Sequence, residues 1–294
     1  MTSDSAIHNV AVLITCYNRK EKTLKCLKSL FESKKMCPSD FRMEVFLTDD
    51  GSKDGTGSAV KRKFPSVKVL QGNGSLYWNG GMRNSWNEAL TQKIFDGFLL
   101  LNDDVEMDLN SFCEILFTHE FSVVRYGKGG IYIGSLRDNK TLEYSYGGRL
   151  LSNKLKFTTQ KVLPDGSVQE CHLGNGNLMF VSKNVVEKIG IFSDKYIHAK
   201  ADHDYTLRAS KNKLPVLVCP HYCGYCNIDH ESKDLTKMSL KERVAFLKSP
   251  TGIEISGYMY FMWRFFPLRA PFVFCFLLIT TLLPAFSRFH NNRG

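Results

Sequence analysis

Several features that would assign a chain quickly to a class are missing from this sequence. Its first nine residues lack the charged-then-apolar layout of a secretion signal. Its 39 lysines and arginines are spread along the chain instead of forming a tract, which argues against nucleic acid as a partner. No internal repeat stands out. No G-x-G-x-x-G opens a helix after an apolar strand, and this excludes a dinucleotide-binding dehydrogenase.

The composition is that of a folded protein that needs an anionic partner. Hydrophobic residues make up 43% of the 294 residues and charged residues 23%, which suits one large α/β domain or two smaller ones. The net charge of +10 favours anionic lipid or a phosphorylated small molecule. Nine cysteines without a secretion signal predict reduced thiols and a cytoplasmic location.

One group of thiols allows two interpretations. Cys219, Cys223, Cys226 and His230 have the spacing C-x3-C-x2-C-x3-H. Four such ligands could bind zinc, but the usual structural site separates its ligand pairs by a dozen or more residues. The alternative is a set of buried or strand-end thiols without a metal.

Apolar runs and helical spacing alternate along the first two thirds of the chain. Strands are expected at 8–14, 43–48, 67–70, 98–101 and 178–181. Helices are expected within 20–31, 53–64, 78–95 (starting near Gly80 and Gly81), 184–189 and 201–211. This alternation predicts an α/β fold with a mostly parallel sheet and right-handed crossovers.

Two further regions complete the predicted organisation. Residues 125–170 contain glycines and short strand-like pieces, which predict a hairpin-bearing extension beside the sheet. From 233 onward the chain is helical and basic, and then strongly aromatic. We therefore expect a catalytic domain at 1–232, with a nucleotide-binding half at 1–105 and an acceptor half at 106–232. Residues 233–294 would form a C-terminal helical extension.

Polar residues follow three of the predicted strands. They are Thr15 to Asn18, Asp49-Asp50 and Asn102-Asp103-Asp104. Open parallel sheets bind ligands at the carboxyl ends of their strands, so these side chains are expected at one site. Asp49-Asp50-Gly51 by itself is also a common turn.

Asn102-Asp103-Asp104 is the strongest candidate for a metal site. Adjacent carboxylates repel each other, and a divalent cation is a simple compensation. Oxygen ligands favour Mg²⁺ or Mn²⁺, which could bridge the phosphates of a nucleotide and stabilise a leaving group. The alternative is a loop with two solvated aspartates.

A third acidic group lies in Ala201 to Arg208. On a helix, Asp204 and Arg208 are four residues apart and can form an ion pair. Asp202 would then be free to act as a base near the helix N-terminus. Its alternative role is a capping aspartate.

Taken together, the sequence blocks resemble family 2 glycosyltransferases. Five blocks follow each other in that family's order over about residues 8–230, namely Val12 to Arg19, Leu47 to Thr56, Gly80 to Asn84, Leu99 to Val105 and Ala201 to Arg208. The resemblance implies a GT-A fold and an inverting, single-displacement transfer from a nucleotide-activated sugar. Mg²⁺ or Mn²⁺ is the implied cofactor.

The resemblance also assigns nucleotide-binding residues. Thr15 and Tyr17 would line the base, with the tyrosine ring packed on it. Asp49 would accept a hydrogen bond from a pyrimidine imide, which favours a UDP- or dTDP-sugar. Arg83 would neutralise the diphosphate. The remaining residues assigned to this site are Arg19, Asp50, Gly81 and Asp103.

The same resemblance assigns the metal ligands. Asp104 would hold the metal, together with Asn102 or Asp103. Asn102 departs from the family's simplest motif, which has aspartate at this position. A third ligand is expected further along the chain, at His221 or His230.

The catalytic base is likewise carried over from the family. Asp202 would deprotonate the acceptor hydroxyl, with Asp204 as its rival. Ala201 departs from the glutamate that often precedes this aspartate. Trp78 could stack on a sugar or a nucleotide, or could be a core residue.

The C-terminal segment 270–286 has 17 residues without a charge. A spanning helix needs ~20 apolar residues, so we expect the segment to lie at a membrane interface, with Arg264, Arg269 and Arg288 on anionic lipid. A helix buried against the domain and a single span are the alternatives.

The predicted protein is thus an inverting sugar transferase at the cytoplasmic membrane face. It would act on a glycan or lipid-linked acceptor in surface polysaccharide or glycolipid synthesis. One rival is a nucleotidyltransferase, which should carry a glycine-rich basic loop where this chain has Thr15 to Arg19. The other rival is a non-catalytic nucleotide-sugar-binding protein, against which Asp104 and Asp202 argue.

Overall fold

The computed structural model describes residues 6–153, 157–228 and 234–287, so the predicted ligand His230 lies outside the described residues. The strands, numbered in chain order, are β1 (Asn9–Cys16), β2 (Arg42–Asp49), β3 (Val67–Gln71), β4 (Gly97–Leu101), β5 (Glu106–Met107), β6 (Ile131–Arg137), β7 (Tyr144–Tyr146), β8 (Gly148–Asn153), β9 (Thr158–Lys161), β10 (Gln169–Glu170), β11 (Leu173–Gly174), β12 (Leu178–Ser182) and β13 (Val216–Tyr225). The α-helices are α1 (Lys20–Lys34), α2 (Thr56–Lys63), α3 (Tyr77–Gln92), α4 (Ser111–Tyr126), α5 (Lys183–Ile189), α6 (Ala201–Lys211), α7 (Leu240–Lys248), α8 (Ile255–Phe265) and α9 (Ala270–Leu282).

A mixed, mostly parallel central sheet organises the fold, as predicted. Its main path runs β10-β13-β6-β12-β4-β1-β2-β3. The nucleotide-side strands β3, β2, β1 and β4 are parallel to one another, whereas β12 is antiparallel to both of its neighbours, β4 and β6. Alternate side chains of each central strand enter two separate hydrophobic clusters, one on each face of the sheet. Ala11 and Leu13 pack on one face, and Val12 and Ile14 on the other.

The region predicted as an extension divides between two sheets. β6 lies inside the central sheet, between β12 and β13. A separate sheet of β11, β8 and β9 holds the hairpin that the sequence predicted. The predicted position beside the main sheet therefore holds for β8 and β9, whereas β6 and its antiparallel partner β7 belong to the central sheet.

Two helices begin at other residues than the spacing predicted, because aspartates that precede them in sequence accept hydrogen bonds at their N-termini. α3 begins at Tyr77 instead of near Gly80, since the Asp50 carboxylate accepts from the backbone N–H groups of Leu76 and Tyr77. α2 begins at Thr56, whose backbone N–H and hydroxyl both donate to Asp54.

The C-terminal helices pack on the domain with one face and leave the other exposed. Phe261, Met262 and Leu277 belong to the same hydrophobic cluster as Trp86 beside the sheet. The opposite face of α9 exposes large apolar side chains, among them Phe272 at 75% and Leu282 at 61%. Among the residues that the structure describes, none of the helices combines the length and apolar character that a membrane crossing requires.

Candidate active site

The loops after β1, β2 and β4 meet at one edge of the sheet. The backbone N–H of Asn18 donates to Oγ of Ser52 (2.9 Å), and the N–H of Lys53 donates to Oδ1 of Asn18 (2.7 Å). These contacts join the first loop to the second. Because the three strands are parallel and adjacent, their carboxyl ends bring the predicted polar groups together.

Arg19 supplies the positive charge that faces the acidic pair. Its Nη1 lies 2.6 Å from Oδ2 of Asp104 and 3.3 Å from Oδ1 of Asp103. Thr23, one helical turn after Arg19, donates its hydroxyl to the other oxygen of Asp103 (3.2 Å). The repulsion that suggested a cation is therefore compensated within the chain by a guanidinium.

The two carboxylates of this pair differ in environment. Asp103 is 5% exposed, and burial raises the pKa of its carboxyl to about 7, although Arg19 opposes the shift. Asp104 lies nearer to the surface and borders a shallow pocket. The pocket is lined by Lys22, Lys25, Asp104, Glu106, Asn139 and Asn227. Asp104 is thus the member of the pair that a ligand can reach.

The donor set at this edge fits Mg²⁺ or Mn²⁺ when a nucleotide completes it. Magnesium is commonly held by one or two carboxylates together with substrate phosphates, and Asp104 with Asp103 supplies such oxygens. No cluster of three His, Cys, Asp or Glu side chains within residues 6–153, 157–228 and 234–287 could hold a metal by itself. Arg19 contacts Oδ2 of Asp104, so a cation at that oxygen would compete with the guanidinium.

Two of the other proposed ligands make different contacts. Asn102 accepts through Oδ1 from the indole Nε1 of Trp78 (2.7 Å). His221 pairs with Glu114 of α4 through Nδ1 (3.1 Å). His221 lies five residues before Cys226 on an extended chain, and the two residues are therefore on the order of 15 Å apart. The thiol of Cys226 reaches Asp104 (3.6 Å). The structure therefore does not bring His221 to the acidic pair.

The cysteines proposed as an alternative zinc site face different surroundings. Cys219 and Cys223 are both fully buried and hydrogen bond to each other through their thiols. Cys226 points instead toward Asp104. This arrangement favours the interpretation as buried thiols over the tetrahedral site.

Asp50 is held entirely by backbone groups of the loop before α3. Its Oδ1 accepts from Gly74 (2.8 Å), and its Oδ2 accepts from Leu76 (2.9 Å) and Tyr77 (3.0 Å). The contacts give Asp50 a structural role at a helix N-terminus, where a carboxylate also opposes the positive end of the helix dipole. The predicted contact of Asp50 with nucleotide has no support in this geometry.

Asp49 orders the loop that leads into α2. Its two oxygens accept from the backbone N–H groups of Ser52 (2.9 Å) and Gly57 (3.0 Å). A Cβ at Gly57 would lie 2.4 Å from Oδ2 of Asp49, so this close approach requires glycine. Each oxygen keeps a second lone pair, which the predicted imide contact would have to use.

The remaining residues of the predicted nucleotide site lie around the ends of β1 and α3. The ring of Tyr17 is half exposed, whereas Thr15 is buried against α3. A Cβ at Gly81 would lie 2.0 Å from Oγ1 of Thr15, so Gly81 serves the close packing of helix on strand. Arg83 donates through Nη1 to the carbonyl oxygen of Phe192.

Trp78 links the acidic strand end to the acceptor side. While its Nε1 donates to Asn102, the far edge of its ring lies against Gly176, where a Cβ would come within 2.5 Å. The backbone N–H of Gly176 in turn donates to Oδ2 of Asp202 (3.1 Å). The indole is therefore neither a simple core residue nor a free stacking platform, and it bridges Asn102 and the loop that holds Asp202.

Asp202 and Asp204 have opposite environments on α6. Asp204 is fully buried and lies between Arg208 (2.7 Å), Arg264 (3.2 Å) and the hydroxyl of Tyr196 (3.0 Å). Asp202 is partly exposed, and within the described part of the chain it accepts from backbone N–H groups alone, one of Gly176 and one of His203. The geometry makes Asp204 a structural ion pair and leaves Asp202 available for chemistry.

Sequence reasoning missed several residues around Asp202. Lys200 precedes α6, and Arg149 lies on β8 in the smaller sheet; burial lowers the pKa of His203, and both cations lower it further. Glu254, from the C-terminal region, accepts from the backbone of Ile197 (2.7 Å) and His198 (2.9 Å), just before α6. Lys200 could have been found by its position beside the last sequence block. Nothing in the sequence indicated Arg149 or Glu254, because only the fold brings them to the region around Asp202.

Comparisons with known proteins agree with this geometry. The model of glycosyl transferase family 2 matches residues 11–173. No curated protein sequence matches the chain significantly.

Solved structures with a similar fold include two sugar transferases. The mannosyltransferase PcManGT from Pyrobaculum calidifontis, in complex with GDP-Man and Mn²⁺, is 14% identical with a TM-score of 0.55, over 95% of this chain and 70% of that one. S. aureus TarS 1–349 is 16% identical with a TM-score of 0.53, over 83% of this chain and 66% of that one. At these identities the likeness concerns the fold. Because the family match covers more than half of the chain, the protein belongs to glycosyl transferase family 2, with the architecture of GT-A glycosyltransferases.

Proposed function

We propose that the protein is an inverting glycosyltransferase that moves a sugar from a UDP- or dTDP-sugar to a hydroxyl of a glycan or lipid-linked acceptor. The observation that carries this proposal is the state of Asp202. No lysine, arginine or histidine of the described residues forms an ion pair with it, while its neighbour Asp204 is fully paired. A carboxylate that is partly exposed and held by backbone N–H groups instead of by an ion pair suits a general base.

The proposed reaction is a single displacement. Asp202 takes the proton of the acceptor hydroxyl as its oxygen attacks the anomeric carbon. The bond from that carbon to the nucleoside diphosphate breaks on the opposite face, so the configuration inverts. The backbone N–H groups of Gly176 and His203 orient the carboxylate, and each oxygen keeps a lone pair for the incoming proton.

On the donor side, the predicted contacts use the groups at the ends of β1 and β2. The half-exposed ring of Tyr17 offers a surface for the base, next to Thr15 and Asp49. Arg19 and Arg83 would neutralise the diphosphate. Asp104, with Asp103 or Asn102, would hold Mg²⁺ or Mn²⁺, which supplies positive charge for the departing diphosphate.

A donor-binding experiment tests this proposal. Calorimetry should show that UDP or dTDP binds more tightly with Mn²⁺, and Asp104→Ala should abolish the metal dependence. The exposed Asp194, changed to alanine, is the matched control. GDP belongs in the series because PcManGT binds GDP-Man. Equal affinity with and without Mn²⁺ would contradict the proposed metal dependence of binding. A preference for GDP would contradict the proposed pyrimidine-nucleotide donor. A screen of nucleotide-sugars with product detection then identifies the sugar.

We further propose that the exposed face of α9 rests on the anionic cytoplasmic surface of a membrane, where surface polysaccharide or glycolipid would be built. Leu268, Phe272 and Leu282 are each more than 60% exposed, a large apolar face for a water-soluble surface. Arg269 flanks this face in sequence and would pair with lipid phosphates, whereas Arg264 is taken up by the ion pair with Asp204. A second copy of this chain is a poorer occupant, because both copies carry the charge of +10.

Vesicle sedimentation tests this docking. The double substitution of Phe272 and Leu282 by aspartate should release the protein from vesicles containing phosphatidylglycerol. Leu142→Asp, at a position that is 61% exposed elsewhere on the surface, should bind as the unchanged protein does. Equal binding of the double variant, or binding to neutral vesicles alone, would contradict the proposal.

A further inference from the structure

Glu254, in the C-terminal region, is a buried carboxylate that the proposed transfer does not use. The residue is 1% exposed and directly precedes α8. Its Oε1 accepts from the backbone N–H of Ile197 (2.7 Å), and its Oε2 accepts from those of His198 (2.9 Å) and Ala199 (3.2 Å). Three successive N–H groups directed at one carboxylate form an anion-binding concavity. Glu254 therefore fixes the backbone of residues 197–199.

The segment held by Glu254 leads directly into the candidate base. Ala199 is followed by Lys200, whose φ of 71° lies in the left-handed region, and α6 begins at Ala201. Asp202 is the next residue. A left-handed backbone at a lysine is strained and persists only where the surrounding structure holds it. The hydrogen bonds of Glu254 precede this turn and α6 follows it, so together they set where the side chain of Asp202 lies.

The earlier part of the same loop is held from the other side of the molecule. Asn79 of α3 is fully buried, and its Nδ2 donates to the carbonyl oxygens of Ser193 (2.9 Å) and Tyr196 (2.6 Å). The loop before α6 is thus fastened by one residue of the nucleotide-binding half and one of the C-terminal region. The part nearest to Asp202 is the part that Glu254 holds.

Attachment of the C-terminal region does not explain a buried glutamate. α8 and α9 pack on the domain through apolar side chains, among them Phe261, Met262 and Leu277. Burial of a carboxylate is unfavourable, whereas burial of an apolar side chain is favourable, so apolar contacts serve attachment better. Glu254 also has a left-handed backbone, with φ of 51°. Backbone strain and a buried charge at one contact are typical of functional sites.

We propose that Glu254 is a positioning residue for Asp202, holding residues 197–199 so that the carboxylate of Asp202 meets the backbone N–H of Gly176 and faces the acceptor hydroxyl. The inference rests on the proposed role of Asp202 as the base. Glu254 acts through the backbone that carries Asp202 and needs no contact with donor or acceptor. The C-terminal region then belongs to the active site, because one of its side chains controls the rate of transfer.

Backbone NMR of the full chain without ligand tests the link to Asp202. The N–H of Gly176 donates to Oδ2 of Asp202 (3.1 Å), so its proton signal reports where that carboxylate lies. Glu254→Gln keeps the size of the side chain but turns one acceptor oxygen into a donor, which then faces backbone N–H groups. The Gly176 signal should shift in this variant. Glu242→Gln, which removes a carboxylate that caps α7 in the same region, should leave the signal unchanged.

Kinetics with the donor identified by the screen of nucleotide-sugars tests the consequence. Glu254→Gln should lower kcat by roughly 10- to 100-fold, because a displacement of about 1 Å in a reacting group can cost on the order of 100-fold. The affinity for UDP should stay unchanged, and Glu242→Gln should transfer at the normal rate. In the Asp202→Asn background, Glu254→Gln should cause no further loss, because the two residues act as a unit.

Gly257→Ala provides a second test that keeps the carboxylate, and it applies even if Glu254→Gln does not fold. A Cβ at Gly257 would lie 2.4 Å from Oε1 of Glu254, so alanine displaces the oxygen that accepts from Ile197. Alanine suits a helix interior, so α8 itself is not weakened. This variant should also lower kcat and shift the Gly176 signal, with the affinity for UDP unchanged.

Four results would overturn the inference. The first is a normal kcat in Glu254→Gln and Gly257→Ala. The second is an unmoved Gly176 signal in both variants. The third is a full further loss of rate when Glu254→Gln is added to Asp202→Asn, which would place the effect elsewhere. The fourth is an equal loss of kcat in Glu242→Gln, which would reflect a general loosening of the C-terminal region.

Failure of the proposed function would give a different pattern, because the NMR measurement needs neither donor nor acceptor. If Asp202→Asn transfers normally while Glu254→Gln shifts the Gly176 signal, Asp202 is not the base, but its position still depends on Glu254. If Asp202→Asn loses transfer while Glu254→Gln changes neither the rate nor the signal, the proposed function stands and only the positioning role fails.

Discussion

Two acidic pairs, Asp103-Asp104 after β4 and Asp202 with Asp204 on α6, follow the same pattern in different surroundings. In each pair one carboxylate is buried and tied to the chain, and the other stays accessible. Asp103 is held by Thr23 and Arg19, and Asp204 is held by two arginines and Tyr196.

The accessible members differ in their partners. Asp104 lies 2.6 Å from a guanidinium nitrogen, whereas the described partners of Asp202 are backbone N–H groups. A guanidinium keeps the adjacent carboxylate charged, and a carboxylate held by backbone N–H groups alone keeps oxygens available to accept a proton. The comparison teaches that residue type alone does not separate a binding role from a catalytic role. The groups that contact each carboxylate differ, and they suggest the two roles.

The largest expected effect tests the assignment of Asp202 as the catalytic base. Asp202→Asn should lower the rate of sugar transfer by 10²- to 10⁴-fold, the usual contribution of a general base. Binding of UDP should change by less than about twofold, because the amide keeps the shape of the side chain. Transfer assays and calorimetry on the same sample check both parts. Normal transfer activity in this variant would indicate that Asp204, and not Asp202, is the catalytic base.

Asp204→Asn should instead act on stability. The change leaves Arg208 and Arg264 facing a neutral, buried group, and breaking a buried ion pair costs about 3–5 kcal/mol in the free energy of unfolding. Urea denaturation measures this loss. Glu187→Gln removes one partner of the exposed pair with Lys183 and should cost less than about 1 kcal/mol. If both variants are equally stable, Asp204 is not the structural member of its pair.

The pH dependence of stability tests the environment of His203, which follows Asp202 on α6. Burial, with the charges of Lys200 and Arg149 adding to it, lowers the pKa of this imidazole to about 4 from its usual 6.5. Between these values the unfolded chain binds a proton that the folded chain does not, so stability is full above pH 6.5 and falls as the pH drops toward 4.

His203→Asn should remove this contribution, which is on the order of 2 kcal/mol at pH 5. Denaturant midpoints at pH 5 and pH 7.5 should therefore lie closer together in the variant than in the unchanged protein. The exposed His8, changed to asparagine, serves as the control. An unchanged difference between the two midpoints would mean that His203 is protonated in the folded state.

The smallest effect concerns Arg19. Without this guanidinium, Asp104 loses a partner that competes with a cation, so Arg19→Gln should bind Mn²⁺ two- to fivefold more tightly in the absence of nucleotide. This corresponds to the ~0.5–1 kcal/mol of a partly exposed ion pair. Paramagnetic resonance of free Mn²⁺ measures it, with Lys28→Gln on the exposed surface of α1 as control. Weaker binding in the variant would contradict the competition.

Much of the fold was predictable because its signals are local. The alternation of apolar strands with amphipathic helices, and the polar residues that end β1, β2 and β4, depend on neighbouring residues only. The helix α4 was not predicted. Its exposed apolar residues, such as Phe117 and Val124, obscure the helical spacing of the buried residues Phe112 and Ile115. β6 was assigned to the hairpin-bearing extension instead of the central sheet, because glycines precede it and Gly134 lies within it.

The family blocks located the acidic residues of the site but did not assign their roles fully. Asp50 was predicted to contact nucleotide, yet it organises the N-terminus of α3, 26 residues further along the chain. Arg264 reaches Asp204 across 60 positions, and Trp78 joins Asn102 to the loop of Gly176. Such contacts have no periodicity or spacing in the sequence, because they arise only when separate elements pack.

By itself, therefore, the sequence determined the α/β alternation, the family and the acidic residues at the strand ends, all of which depend on short stretches of chain. Only the tertiary structure decided which carboxylate faces a cation, which is buried, and which stays available. Those properties depend on charge and solvent exposure, and both are set by the residues that folding brings alongside.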